Sequence, residues 1–106
     1  MSGNPLLKGL RPTHPGEILR EDVLPALGRS KVAIANLLGV SRRQLYNLLE
    51  ESQPVTPRMA IRIGKLTGTS PESWLAMQAA YDLRIAREDL AEAVAKIPTL
   101  EAAAEA

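Results

Sequence analysis

The stretch KVAIANLLGVSRRQLYNLLE, residues 31–50, decides the reading of this 106-residue chain. Two short apolar-periodic segments, 31–38 and 42–50, are joined there by Gly39-Val40-Ser41. Two helices that cross steeply need a turn residue free to enter left-handed backbone, and Gly39 supplies it. Close approach of the first helix to the second needs a small residue one turn before that glycine, and Ala35 supplies it. Ser41 is a good N-cap for the second helix. Ile34, Leu38, Val40, Leu45 and Leu48 then fall where one shared core needs them. This combination is the spacing of a helix-turn-helix.

The residues left over on the second helix face outward: Arg42, Arg43, Tyr46, Asn47 and Glu50, with Gln44 toward the edge. Arg pairs bidentately with guanine in the major groove, and Asn or Gln pairs likewise with adenine. In such a pair the N-terminal end of the second helix lies against base edges. Ser41, Arg42, Arg43, Gln44 and Asn47 are therefore the candidates for base reading. Arg42 and Arg43 serve equally as phosphate contacts, which position without specifying sequence. Lys31, opening the first helix, and Gln53, in the loop that follows, are candidate phosphate contacts. The competing view is a helical hairpin with a solvated basic face, as most charged helix faces are. The turn glycine, small alanine, cap serine and basic face coinciding in one stretch favour DNA.

Outward from this stretch the chain reads as helices throughout. A first helix should begin near Pro15, since proline suits the first helical position. Glu17 and Glu21 suit its N-terminal dipole, and Ile18, Leu19 and Val23 give an apolar face. Pro25 disfavours helical geometry at Leu24, so that helix should end or kink there, with Gly28 completing the break. Ser30 caps 31–38. Thr56-Pro57 and Ser70-Pro71 repeat a cap-plus-proline signature and open helices over 57–67 and about 71–96. Gly68 and Pro98 close them. No segment alternates with the period of a strand, and no repeat of twenty residues or more is present. The expected architecture is all-α: a five-helix domain over 13–97 with a long C-terminal helix. A flexible arm over 1–12 and a flexible tail over 98–106 flank it.

Composition narrows the class. Hydrophobic residues make up 45% of the chain, with no Phe, one Trp and two Tyr, so the core must be aliphatic. No cysteine is present, which removes disulfides, Cys-based zinc sites and thiol nucleophiles. His14 is the single histidine. It makes a His-rich metal site implausible, denies the usual Ser–His pair, and reads as a helix-entry residue. Glu50 and Glu51 are adjacent and point apart on a helix. Gly64 and Gly68 flank a helix end and form no phosphate loop. Trp74 and Tyr81 read as core and not as a base-stacking platform. Neither an enzyme nor a cofactor is expected. No apolar run reaches membrane-spanning length, and residues 1–10 lack the pattern of a signal peptide, so a cytoplasmic, nucleoid-associated protein is expected. The net charge of +1 hides an asymmetry: residues 1–65 carry +5 and residues 66–106 carry −4. A basic front suits a polyanion, and an acidic back suits a different partner.

The runs RPTHPGEILRED (11–22), LGRSKVAIANLLGVSRRQLYNLL (27–49) and PVTPRMAIRIGKLTGTSPESWLAMQAAYDL (54–83) resemble HigA-type antitoxins. These belong to the Xre/Cro-repressor-like helix-turn-helix group. The resemblance spans about 11–90, and its most specific blocks are HPGE, GVSRRQL and WL-MQ--YDL. It implies a homodimer that binds a palindromic operator in its own promoter and represses its own operon. It also implies a partner, a HigB-like toxin that is an mRNA interferase of the RelE-like fold, which the antitoxin neutralises. By position, Ser41, Arg42, Arg43, Gln44 and Asn47 fall where the wider group contacts DNA. Lys31 departs from that group, which often has Gln there, and this favours phosphate over base for its contact.

The last helix carries two stripes. Trp74, Met77, Tyr81 and Ile85 should pack on the core. Leu83, Ala86, Leu90, Ala93 and Ile97 follow a coiled-coil-like spacing and need a partner. A second copy of the chain is the simplest one, since a palindromic operator calls for a two-fold dimer. Trp74, Met77, Tyr81, Leu83 and Leu90 are the candidate dimerisation residues, the toxin is the rival occupant, and fraying past about Leu90 is the plain alternative. Two other functions compete with the antitoxin: a stand-alone Xre-family repressor without a toxin partner, and an interaction module that has lost DNA binding. Arg42 and Arg43 argue against the second.

Overall fold

The computed structural model describes residues 12–102, and among them every regular element is helical. The expected arm over 1–12 lies outside the described residues apart from Pro12, and of the expected tail residues 98–102 are described, without helix.

Helix α1 is built from three continuous pieces: Pro15–Ile18, a π-helical turn Leu19–Val23, and Leu24–Leu27. His14 caps it, its Nδ1 accepting from the Gly16 N–H at 2.9 Å. Here the structure departs from the reading of Pro25 as a stop. Leu24 stays helical at φ −67° and ψ −39°, and its N–H bonds to the Leu19 carbonyl five residues back. The wide turn loosens the helix just before the residue that cannot donate and whose ring crowds the preceding carbonyls. It also changes the buried stripe. Leu19 and Leu24, five apart, are both buried, whereas Ile18 and Val23 are only half-buried.

Four helices follow with the caps that their sequences announce. Helix α2, Lys31–Leu38, is capped by Ser30 and closed by Gly39 at φ +76°. Helix α3, Arg42–Leu49, is capped by Ser41. Helix α4, Pro57–Thr67, is capped by Thr56 and closed by Gly68 at φ +71°. Helix α5, Pro71–Asp89, is capped by Ser70. The long last helix is then interrupted at Leu90 (φ −100°, ψ 8°), and a short α6, Ala91–Ala95, continues from it without a side-chain cap. Neither proline nor glycine marks this break, and no residue beyond Ala86 is buried enough to enforce a register.

The core is aliphatic as expected, drawn from Leu19, Ile34, Leu38, Leu45, Leu48, Leu49 and Ile63, with Trp74 of α5 as its one large aromatic side chain. Each such side chain contributes on the order of 1.5–3 kcal/mol by leaving water. The faces of α2 and α3 that the turn at Gly39 brings together are therefore held by packing, and their outer faces are free for other work. Gln78 is a polar member of this interior at 6% exposure. Its Oε1 accepts from the Val55 N–H at 2.8 Å, and its Nε2 donates to Asp82 at 3.0 Å.

Candidate nucleic-acid interface

Helix α3 presents its outer face at the turn from α2. Ser41 Oγ accepts from the Gln44 N–H at 3.1 Å, and Gln44 Oε1 accepts in return from the Ser41 N–H at 3.0 Å. This reciprocal cap satisfies two amides that the helix start would otherwise leave unpaired. It also fixes the geometry of the end that would meet base edges. Ser41 is thus engaged as a cap, and Gln44 has its carbonyl oxygen committed, leaving its Nε2 donors for a ligand.

The other candidates fall into two neighbouring groups. Arg42, Arg43 and Tyr46 line one shallow concavity, and the Lys31 ammonium lies 5.8 Å from the Tyr46 ring centroid. That is cation–π range, so Lys31 joins this group although it comes from α2. Gln44, Asn47 and Gln53 line a second depression together with Pro54 and Thr56. The Asn47 carbonyl accepts from the N–H and hydroxyl of Ser52, which folds the loop carrying Gln53 back against α3. One surface therefore offers guanidinium and ammonium donors beside amide donors and acceptors, at the positive end of a helix dipole. Phosphate oxygens and base edges are the ligands such a set suits. Tyr46 belongs to it although the sequence made it no candidate; an aromatic residue on an exposed helix face was the available signal.

Several expected contributors do other work. Of the basic front, Arg20 donates to the Leu49 carbonyl at 2.6 Å and to Glu51 at 3.3 Å, and pairs with Glu21 at 2.8 Å. Arg62 donates to the Leu38 carbonyl at 2.7 Å. Of the candidate dimerisation residues, Trp74 is 3% exposed and donates its indole N–H to Thr69 Oγ1, so the chain's own core already takes it. Met77 is half-buried against that core. Tyr81 stacks edge-on against the buried His14, ring centroids 4.8 Å apart. Leu83 and Leu90 are each 50% exposed and are the two that a second chain can reach. His14 is the helix-entry residue the sequence suggested, and no group of metal-ligating side chains occurs among the described residues. No helix among those residues is long and apolar enough to cross a membrane.

A helix-turn-helix with a capped, donor-rich second helix, set in an all-helical domain, defines a DNA-binding transcription regulator. No protein-family model matches the chain. Individual relatives do. Virulence-associated protein I of Dichelobacter nodosus is 42% identical over 76 residues, 72% of this chain and 70% of that protein. Antitoxin HigA-1 of Vibrio cholerae is 36% identical over 73 residues, 69% of each chain. The solved structure of the Pseudomonas aeruginosa antitoxin HigA with the higBA promoter superposes with a TM-score of 0.80 at 34% identity, covering 86% of this chain and all of that one. The chain belongs to the HigA-type antitoxin family of helix-turn-helix regulators.

Proposed function

We propose that this protein is a cytoplasmic, dimeric autorepressor that binds a palindromic operator upstream of its own gene and neutralises a RelE-like mRNA interferase, a HigB-like toxin. The observation that carries the reading is the face of α3: Arg42, Arg43 and Tyr46 beside Gln44, Asn47 and Gln53, on a helix whose start is held by its own capping residues. Arg42 and Arg43 supply bidentate donors for guanine or phosphate, Asn47 reads adenine, and Lys31 and Gln53 hold backbone phosphates. The V. cholerae relative named as an antitoxin and the P. aeruginosa antitoxin held on its promoter support the same reading. The exposed Leu83 and Leu90, on the helix leaving the core, are where two copies meet.

A gel shift with DNA from upstream of the protein's own gene, at two salt concentrations and against unrelated competitor, tests DNA reading. A shift that survives competitor is expected. Binding that vanishes with competitor and modest salt means the surface holds DNA through phosphates alone. Co-purification with the product of the adjacent gene tests the toxin. A folded neighbour that never co-purifies leaves a stand-alone repressor. Sedimentation of the Leu83→Asp/Leu90→Asp double variant tests the dimer, and a species of unchanged mass would refute the assignment of those two residues.

A further inference from the structure

We infer that Arg20 and Arg62 are positioning residues for operator recognition, each closing the carbonyl end of one helix of the helix-turn-helix from a flanking helix. The inference rests on the DNA-binding reading above. The last carbonyls of any helix lack partners within it, and its C-terminal end carries partial negative charge. Helices α2 and α3 are eight residues each, so their ends are a large share of their length.

Arg62, from α4, donates to the Leu38 carbonyl at 2.7 Å and lies 3.5 Å from that of Gly39. A Cβ at Gly39 would sit 2.8 Å from its Nη1, so the turn glycine both adopts left-handed backbone and leaves room for the guanidinium. Arg20, from the π-helical turn of α1, does the same for α3 through the Leu49 carbonyl at 2.6 Å. Its second partner, Glu51, has φ +65° and is the one described non-glycine residue with positive φ. That conformation is costly for a side chain, and it stops α3 where the loop to Gln53 must begin.

The two contacts span 29 and 24 residues of chain, so they tie the motif to α1 and α4 and set the angle at which it is presented. A guanidinium can serve two acceptors at once, which one ammonium does less well. Arg20 shares its charge with Glu21 and Glu51, and Arg62 commits its Nη1 to carbonyls, so the basic front presents fewer uncommitted donors than its charge suggests.

The test uses Arg20→Met and Arg62→Met, which keep a long apolar stem. Fluorescence anisotropy is measured with the upstream duplex and with an unrelated duplex, over a series of salt concentrations at a temperature where each variant is folded by circular dichroism. Operator affinity should fall about tenfold, as for loss of a hydrogen bond to a charged group. Affinity for the unrelated duplex and the slope of log K against log salt should not change. Partial unfolding would weaken both duplexes alike. A slope reduced by about 0.9 per arginine, with loss on both duplexes, would make them phosphate contacts and overturn the inference; so would unchanged operator affinity. Arg20→Lys and Arg62→Lys, read the same way, replace any methionine variant that does not fold and should lose affinity to an intermediate degree. Amide exchange is read in parallel. The Glu51 and Ser52 amides should exchange faster in Arg20→Met, and the Gly39 and Val40 amides in Arg62→Met. Unaltered exchange overturns the inference even if wild-type protein fails to discriminate the duplexes, an outcome that would itself defeat the DNA-binding reading.

Discussion

Replacing Gly16 with alanine sets two opposing effects against each other. Gly16 lies in the first turn of α1, and an alanine there would gain up to about 1 kcal/mol of helix propensity. A Cβ at that position, however, would overlap the carbonyl oxygen of Leu48, on α3. The obstacle is backbone, so no rotamer change relieves it, and α1 and α3 must move apart. Overpacking of this kind costs about 1–3 kcal/mol. Leu48 is 2% exposed, so the displaced contacts are core contacts. The packing loss wins, leaving a net cost of about 1–2 kcal/mol and a midpoint about 5–15 °C lower for a domain of this size. Thermal unfolding followed at 222 nm reads it directly. An equal or higher melting temperature would refute the claim that α1 and α3 touch through Gly16.

Gln78→Leu should lower stability by about 1–3 kcal/mol in a urea titration, because the buried Val55 N–H loses its acceptor; an unchanged midpoint would mean water replaces the amide. Ser41→Ala should cost about 1 kcal/mol through loss of the cap. It also frees the Gln44 side chain, so base preference at the operator should broaden in a binding-site selection; an unaltered preference would show that Gln44 takes no part in reading. The Glu72 carboxyl is held below the ordinary carboxylate range by its own backbone N–H and by the Ser70 hydroxyl. A depressed folded-state pKa stabilises at neutral pH, and that stability disappears as pH falls through and below the usual carboxylate range. Glu72→Gln should therefore be less stable than wild type at pH 7, with the gap closing in acid; a gap constant with pH would refute the linkage.

Local grammar made most of this fold legible. Ser30, Ser41, Thr56 and Ser70 each accept from an amide three residues ahead, and that relation is visible in a few letters of sequence. The spans of α2 and α4 follow from it. The Ser41–Gln44 spacing is equally legible as a capping box, which commits the amide oxygen that an outward Gln44 would otherwise offer to a base. What stayed hidden is non-local. Arg20 and Arg62 look like any surface cations until chain 29 and 24 residues away folds beside them. Met77 packs on the core as its stripe suggests, but the adjacent Gln78 is buried deeper, because the Val55 N–H needs an acceptor inside the core. The π-helical turn answers to Pro25 but falls before it, at residues whose own propensities are ordinary. The break at Leu90 carries no breaker residue at all.

The burial of Trp74 has a practical consequence. It is the chain's single tryptophan, buried near the start of α5 with its indole N–H bonded to Thr69 in the link from α4. As an intrinsic fluorophore it reports the α4–α5 junction, and being buried it is no part of the exposed α3 face. Its emission should shift to the red on denaturation and stay nearly constant when a duplex is added. Folding and ligand capture can then be followed in one cuvette by two independent optical signals, the indole for the first and a dye on the DNA for the second.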